Sequence, residues 1–351
     1  MSAPSRSRTD GALAAARSFA RPVGWRGRRP DAAGLEGCLL FERTERATGF
    51  DGTELAYGVF GNTGPWVVLV PGFGCPDNFW KYLLRPLSRR FRVIVYDTRG
   101  VGMSGYPRRP GYRARNLKTA DFSMENHAKD VVAIMDAAGA DRAALIGHSM
   151  GGQIALETYR AAPDRLSALV MLTAPFASPT RTLYGRDLDV LLRGLFATIK
   201  LLPRPATLLW RALFLARPEL THRGAQLVRA LGPLAKAEDM ATYYRHLAFL
   251  DPIVLMKMAD AMRAHSARDV LPLVDVPTLI VAGELDPFTP PALAHTMHDE
   301  IRDSELVVLE GASHGAVIEK PDDVIYAVTS FLERRVGRSA SSPRRTRAAL
   351  G

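Results

Sequence analysis

The sequence predicts an α/β fold, a mostly parallel, doubly wound sheet with a helical cap inserted after the sixth strand. Short apolar runs alternate with stretches of helical spacing over two blocks of the 351-residue chain. This alternation is typical of parallel strands whose connecting helices cover both faces of a sheet. The segment 174–268 separates the two blocks and contains no strand-like run. Helices inserted there would lie over the carboxyl ends of the strands, where open α/β folds bind their ligands.

The elements of the two blocks follow from their apolar patterns. The run 54–60 alternates between polar and apolar residues like a half-exposed strand. The run 66–70 is apolar throughout, which indicates a strand buried on both faces. Further strands are predicted at 92–96, 143–146 and 167–172, with helices at 79–87, 124–138 and 150–161. After the insertion, the pattern predicts strand 278–282, helix 291–300, strand 305–309 and helix 322–335.

These elements imply a division of the chain into a core, a cap and two extensions. The predicted units are a basic N-terminal extension 1–40, a core made of 41–173 and 269–335, the cap 174–268, and a basic C-terminal tail 336–351. Both extensions are rich in Arg, Ser, Ala and Pro, a composition that favours disorder.

The formal net charge of +10 is concentrated at the two ends of the chain. Residues 1–30 hold seven arginines and one aspartate, and residues 334–351 hold six arginines and no acid. Each end therefore carries +6, which leaves −2 for the folded body. The body gives no argument for a nucleic-acid partner, because the basic charge lies outside it.

The predicted location is the cytoplasm. The two cysteines, Cys38 and Cys75, do not make a disulfide framework, which suits a reducing compartment. No run of about 18 apolar residues is present, so no stable membrane insertion is expected. The Arg-rich N-terminus also has the composition of an organelle transit peptide, and that destination remains open as a minor alternative.

The strongest single motif is Gly147-His148-Ser149-Met150-Gly151, which joins a strand-like run to a helical pattern. A serine on such a sharp turn is the nucleophile elbow of a hydrolase. The turn strains the serine backbone, and a side chain at either flanking glycine would collide across it. Ser149 is therefore the predicted nucleophile.

A serine nucleophile needs a base, and the base needs an acid to orient it. Asp286 follows the predicted strand 278–282, and His314 follows 305–309. Taken singly, such an Asp is usually a turn former and such a His is usually solvated. Together with Ser149 they end three strands in the order Ser, Asp, His, so a catalytic triad is predicted. His148 is expected to line the substrate pocket.

Acyl transfer also needs donors for the oxyanion of the tetrahedral intermediate. The backbone N–H of Met150, directly after the nucleophile, is one candidate. The second is the N–H of Phe73 in Pro71-Gly72-Phe73-Gly74, where small neighbours let the backbone approach the substrate. The ring of Phe73 is expected to form a wall of the substrate pocket.

With these motifs, the chain resembles the α/β-hydrolase superfamily over roughly 50–173 and 269–335. The loop 97–104 matches the D-x-R-G-x-G-x-S pattern of that family, where it is mainly structural, and 147–152 and 311–314 match the elbow and the histidine loop. Pro71 departs from the family, which usually has His before the oxyanion glycine. The resemblance implies a capped serine hydrolase of the carboxylesterase, lipase-like or enol-lactonase-like kind, acting without a cofactor.

Particular residues of this chain argue against several branches of that superfamily. Haloalkane dehalogenases and epoxide hydrolases resemble this chain but use Asp at the elbow, where Ser149 stands. Serine C–C hydrolases often have an aromatic residue after the catalytic His, where Gly315 stands, and prolyl iminopeptidases have a different elbow. The prediction is an esterase, thioesterase or lactonase for a small-to-medium lipophilic substrate. The open alternatives are a cofactor-free perhydrolase or haloperoxidase-like enzyme, an acyltransferase, and a receptor-like member with little turnover.

The predicted cap carries two apolar stretches with interspersed bases, 191–202 and 208–215. Leucine stripes of this kind usually pack on a core, and that interpretation is favoured here. The alternative is a lid that contacts lipophilic chains or an anionic membrane surface. No His or Cys pairs have metal-ligand spacing, so no metal is expected. The predicted partner is a small ester, and the sequence leaves the oligomeric state open.

Overall fold

The computed structural model describes residues 44–107, 117–216 and 218–336. Within these residues one sheet has the strand order β1-β2-β4-β3-β5-β6-β7-β8. The strands are β1 Glu45–Thr48, β2 Glu54–Phe60, β3 Trp66–Val70, β4 Arg92–Tyr96, β5 Ala143–His148, β6 Leu166–Leu172, β7 Thr278–Gly283 and β8 Ser304–Leu309. β2 is antiparallel to β1 and β4, and the other pairs are parallel. The mostly parallel sheet is thus confirmed.

Eleven α-helices lie in the described part of the chain. They are α1 Leu84–Ser88, α2 Met124–Ala137, α3 Met150–Ala161, α4 Asp189–Leu201, α5 Pro203–Ala216, α6 Pro218–Leu227, α7 Ala237–Phe249, α8 Pro252–Ala264, α9 Pro291–Glu300, α10 Ala316–Glu319 and α11 Pro321–Arg335. No helix among the described residues is long and apolar enough to cross a membrane. The predicted tails fall outside the described residues, except for Val336.

Successive side chains of the central strands enter two separate hydrophobic clusters. Val68 and Leu145 belong to the cluster under α2 and α3, whereas Val67 and Ile146 belong to the cluster under α1 and α11. Because side chains alternate along a strand, each cluster occupies one face of the sheet. The helices therefore cover both faces, as a doubly wound sheet requires.

Two details differ from the sequence-based predictions. The edge strand β1 was not predicted. The predicted helix 79–87 is instead a 3₁₀ turn at Asp77–Trp80 followed by the short helix α1. Pro86 explains the break, because proline lacks a backbone N–H and its ring collides with the carbonyl four residues earlier.

The five helices α4 to α8 lie between β6 and β7, in the segment predicted as the insertion. They are attached to the turn before α1 through Asp239 at the start of α7. Its carboxylate accepts hydrogen bonds from Lys81 Nζ at 2.5 Å and from the Tyr82 hydroxyl at 2.9 Å, and its carbonyl accepts from Asn78 Nδ2 at 3.0 Å. This attachment fixes the helices beside the loop that follows β3.

The loop after β4 is held by a buried ion cluster. The Arg99 side chain is fully buried and donates to both oxygens of Asp130, at 2.6 Å each, and to Asp51 at 3.0 Å. Asp97 in the same loop accepts a hydrogen bond from the Met103 backbone at 2.7 Å. These contacts stay within the scaffold, which fits the structural role implied for this loop.

Candidate active site

Ser149 lies at the junction of β5 and α3 in a strained backbone conformation, with φ 52° and ψ −123°. The neighbouring chain leaves no room for side chains on the flanking glycines. A Cβ on Gly147 would lie 2.4 Å from the Gly151 carbonyl oxygen, and one on Gly151 would lie 2.1 Å from that of Val70. The two glycines therefore allow a turn that presents the serine hydroxyl at the end of the sheet.

Three predicted residues from separate strand ends form one chain of hydrogen bonds. His314 Nε2 lies 2.9 Å from Ser149 Oγ, and His314 Nδ1 lies 2.8 Å from Asp286 Oδ2. The His314 side chain is partly accessible, whereas the Asp286 carboxylate is fully buried. This arrangement can move a proton from the serine hydroxyl to the imidazole and stabilise the charge that forms there.

The turn after β7 keeps the Asp286 carboxylate ionised. Asp286 Oδ1 accepts hydrogen bonds from the backbone N–H of Phe288 at 2.8 Å and of Thr289 at 3.0 Å, and the Thr289 hydroxyl donates to Oδ2. Burial alone would raise the pKa of this carboxyl. The charge and hydrogen bond of His314, together with the hydroxyl and backbone hydrogen bonds of Thr289, outweigh burial and hold the pKa of Asp286 below its usual range.

The backbone of His314 is fixed by two further donors. Its carbonyl oxygen lies 3.2 Å from His148 Nε2 and accepts a hydrogen bond from Thr173 Oγ1 at 3.1 Å. The His148 ring also packs against Phe79, with 4.4 Å between ring centroids, and is 2% exposed. The predicted contact of His148 with substrate is therefore not supported. Its ring lies in the interior, where it holds the histidine loop.

Burial of His148 makes the stability of the fold depend on pH. Burial, followed by the charge of His314, lowers the pKa of His148 to about 3. Below the pH where an unfolded histidine titrates, near 6.5, the unfolded chain binds a proton that the native chain does not. The free energy of unfolding is therefore expected to fall by about 1.4 kcal/mol for each pH unit between 6.5 and 3 from this residue.

Urea unfolding at pH 6.5 and pH 5 measures this slope. The fully buried His127 also has a pKa well below its usual value because of burial, so both histidines contribute in the same direction. His148→Gln should remove the contribution of one proton from the slope of the unfolding free energy against pH. The contribution of His127 should remain. An unchanged slope in the variant would contradict a neutral buried His148.

Glu319, which was not predicted as a site residue, holds the histidine loop from the other side. Its carboxylate accepts hydrogen bonds from the Ser313 backbone N–H at 2.7 Å, the Ser313 hydroxyl at 2.5 Å and the Gly232 backbone N–H at 2.8 Å. Ser313 directly precedes His314, and Gly232 lies between α6 and α7. One buried carboxylate thus ties the inserted segment to the histidine loop. The available signal was an acid within the apolar run Ala316-Val317-Ile318.

Glu319→Gln is expected to lower kcat by about 10- to 100-fold with little change in KM, because loss of positioning around a reacting group costs this much. The amide has one acceptor oxygen, so it cannot satisfy both backbone donors. Steady-state kinetics on an activated ester measures the split. Glu333→Gln, at an exposed partner of Arg90, is the matched control and should behave like the wild-type protein. If the Glu319→Gln variant raised KM by as large a factor as it lowered kcat, Glu319 would have a merely structural role.

The loop after β3 closes over the elbow. A Cβ on Gly72 would lie 3.1 Å from Ser149 Cβ, so the backbone of this loop passes directly beside Ser149. Phe73 is half-buried and packs on the core. Gly74 has a φ of +60°, and a Cβ there would meet Leu247 at 3.2 Å and Leu255 at 3.4 Å. Helices α7 and α8 of the inserted segment therefore contribute apolar side chains above this loop.

Cys75, in the loop after β3, does not compete with Ser149. Cys75 is buried, and burial raises the pKa of its thiol to about 12, so no thiolate forms.

Among the described residues, Glu125, Glu157 and His265 bring three potential metal ligands together. His265 Nε2 lies 2.8 Å from one Glu157 oxygen, and Arg160 binds the other oxygen at 3.0 Å. These contacts make the group a hydrogen-bonded network.

A family model described as the alpha/beta hydrolase fold matches residues 65–321. The chain is 29% identical over 278 residues to the polyketide synthase ThaQ of Burkholderia thailandensis, and the match covers 78% of this chain and 12% of that protein. It is 28% identical to an Azorhizobium caulinodans protein designated an inferred carbamate hydrolase, RutD, over 77% of this chain and 91% of that one. A solved thermophilic esterase of Thermogutta terrifontis has a TM-score of 0.62 at 26% identity and covers 83% of this chain and 98% of that one.

Proposed function

Because the chain belongs to the α/β-hydrolase fold family, we propose that it hydrolyses a carboxylic ester, thioester or lactone through an acyl-enzyme formed on Ser149. The observation that carries this proposal is the continuous hydrogen-bonded chain from Ser149 through His314 to Asp286. The hydrolase family alone leaves the bond open, whereas a serine with an oriented base favours acyl transfer.

In the proposed reaction, Ser149 Oγ attacks the carbonyl carbon while its proton passes to His314 Nε2. Asp286 accepts the Nδ1–H and stabilises the imidazolium. The oxyanion accepts hydrogen bonds from the backbone N–H groups of Met150 and Phe73. His314 then protonates the leaving alcohol or thiol, which departs with the electrons of the broken bond. In the second half, His314 takes a proton from water, and the resulting attack releases the acid and restores Ser149.

We further propose that the segment 174–268 acts as a cap that selects the substrate. Leu247, Leu250 and Leu255 surround Gly74, and the Phe288 ring lies 5.0 Å from the ring of His314. This apolar surrounding supports a lipophilic acyl group. The esterase named above has the same overall fold, and the RutD designation concerns a carbamate, a related acyl compound. An esterase and a carbamate hydrolase differ in the bond that they hydrolyse, so identifying that bond distinguishes the two activities.

A fluorophosphonate probe tests the proposal, because it forms a stable adduct only with an activated serine. Labelling of the wild-type protein, with the adduct mapped to Ser149 and absent from Ser149→Ala, is the expected result. Turnover of esters, thioesters and lactones of graded acyl length then identifies the bond and the chain length. No adduct, or a labelled protein that turns over none of these compounds, would contradict a hydrolytic function and favour ligand binding without turnover.

A further inference from the structure

The inserted helices α4, α5 and α6 carry an unusual number of exposed apolar side chains. Leu208 and Leu209 are each 72% exposed, and Leu227 is 85% exposed. The further members of this set are Val190, Leu191, Leu195, Leu201, Leu202, Leu213, Leu215 and Leu220. The favoured expectation that these leucines pack on the core is therefore wrong. We call this set the outer leucine face.

The opposite sides of the same helices are already used for packing. Phe196, Trp210 and Phe214 are partly buried against the core clusters. Trp210 Nε1 also donates a hydrogen bond to the Leu247 carbonyl of α7 at 2.6 Å. Helices α4 and α5 thus each have an inner aromatic side that holds them to the protein, and α6 turns the buried His222 inward, whose Nδ1 lies 3.0 Å from the Tyr244 hydroxyl. The outer leucine face lies on the other side, so packing among the residues that the structure describes does not account for it.

The amino-acid sequence of the segment that carries the outer leucine face is basic. The segment 189–228 contains six Lys or Arg residues and two acids. One of these acids, Asp189, is buried and accepts hydrogen bonds from Thr180 at 2.8 Å and Arg263 at 3.0 Å, so it presents little charge outward. Arg193 and Arg223 are exposed. Leucines interspersed with basic residues are the pattern of helices that lie in the interface of an anionic membrane.

We propose that the outer leucine face is a docking surface for an anionic lipid bilayer. The leucines enter the boundary between headgroups and acyl chains, while the basic residues attract the negative headgroups. A second copy of the chain fits less well, because two such basic faces would repel each other. Helix α7 lies between the docked helix α5 and the loop beside Ser149, so docking would hold the cap and the candidate site close to the lipid. Docking itself does not require turnover.

Flotation of the full chain with vesicles tests this inference. Vesicles of equal parts phosphatidylglycerol and phosphatidylcholine should retain the protein, and pure phosphatidylcholine vesicles should retain far less. The double variant Leu208→Gln, Leu209→Gln should weaken binding to the anionic vesicles on the order of 30-fold, because two leucines no longer leave water. Glutamine has nearly the helix propensity of leucine, so α5 should persist, as circular dichroism can verify.

The matched control is the double variant Leu273→Gln, Tyr326→Gln, which removes two equally exposed apolar side chains outside the insertion, 63% and 75% exposed. It should bind vesicles like the wild-type protein. Equal binding by all three proteins would overturn the proposal and assign binding to the basic tails. No binding by the wild-type protein would also overturn it. A dimer in sedimentation velocity that the Leu208, Leu209 variant loses, without vesicle binding, would assign the face to a second copy.

Discussion

Replacing Ser149 with alanine is expected to lower kcat/KM for a cleavable ester by about 10⁴-fold or more, because the nucleophile and its base act as one unit. Without Oγ, His314 has no hydroxyl to deprotonate at 2.9 Å. The proposed oxyanion donors, the backbone N–H groups of Met150 and Phe73, remain in the variant, so the residual rate should exceed that of the reaction in water. Initial rates with an activated ester give the ratio of kcat/KM between the wild-type protein and the variant. The enzyme concentration must be high enough to detect the residual rate of the variant.

The fold of this variant should be intact, because removing one oxygen from an already strained turn creates no collision. A thermal unfolding midpoint close to that of the wild-type protein verifies this. Ser88→Ala is the matched control, since its hydroxyl donates a hydrogen bond within α1, to the Arg85 carbonyl at 3.2 Å. It should retain full activity. A Ser149→Ala protein with undiminished turnover would show that the reaction does not pass through this serine.

That the three residues of the proposed triad lie together could be predicted from the sequence because of a property of parallel sheets. The carboxyl ends of parallel strands meet at one edge, so residues that follow different strands converge whatever the length of chain between them. Ser149, Asp286 and His314 each follow such a strand, and their order along the chain matches the known architecture. The prediction that Ser149 is the nucleophile was specific because the turn has no room for side chains at Gly147 and Gly151.

The parts that the sequence could not predict depend on which surface a side chain meets. The apolar pattern around Leu208 and Leu209 is the same whether these side chains pack inward or face solvent. In the structure Trp210 takes the inner side of α5, which leaves both leucines facing outward. His148 has a hydrogen-bond partner 166 positions away along the chain, and Glu319 has one 87 positions away, at Gly232. Periodicity reports on one element at a time, so such long-range contacts lie beyond it.

The buried Asp286 gives the second large expected effect, on the chemistry of the base. Asp286→Asn should lower kcat by about 10⁴-fold at neutral pH, as expected when a triad imidazole is held in the wrong tautomer. The reason lies in the local hydrogen bonds. Oδ1 accepts two backbone N–H groups, from Phe288 and Thr289, so the amide oxygen of the variant must take that place. Its NH₂ group then faces His314 Nδ1 and requires that nitrogen to accept.

With Nδ1 as acceptor, the imidazole proton moves to Nε2 and points at Ser149, which can no longer pass its own proton there. The loss should therefore appear in kcat and in fluorophosphonate labelling alike, while the fold stays near wild type because the amide nearly matches the carboxylate in size. Asp269→Asn, at an exposed partner of Arg160, is the matched control and should leave both readouts unchanged. If kcat of Asp286→Asn fell by less than tenfold, another acid would have to orient His314, and the proposed triad would be wrong.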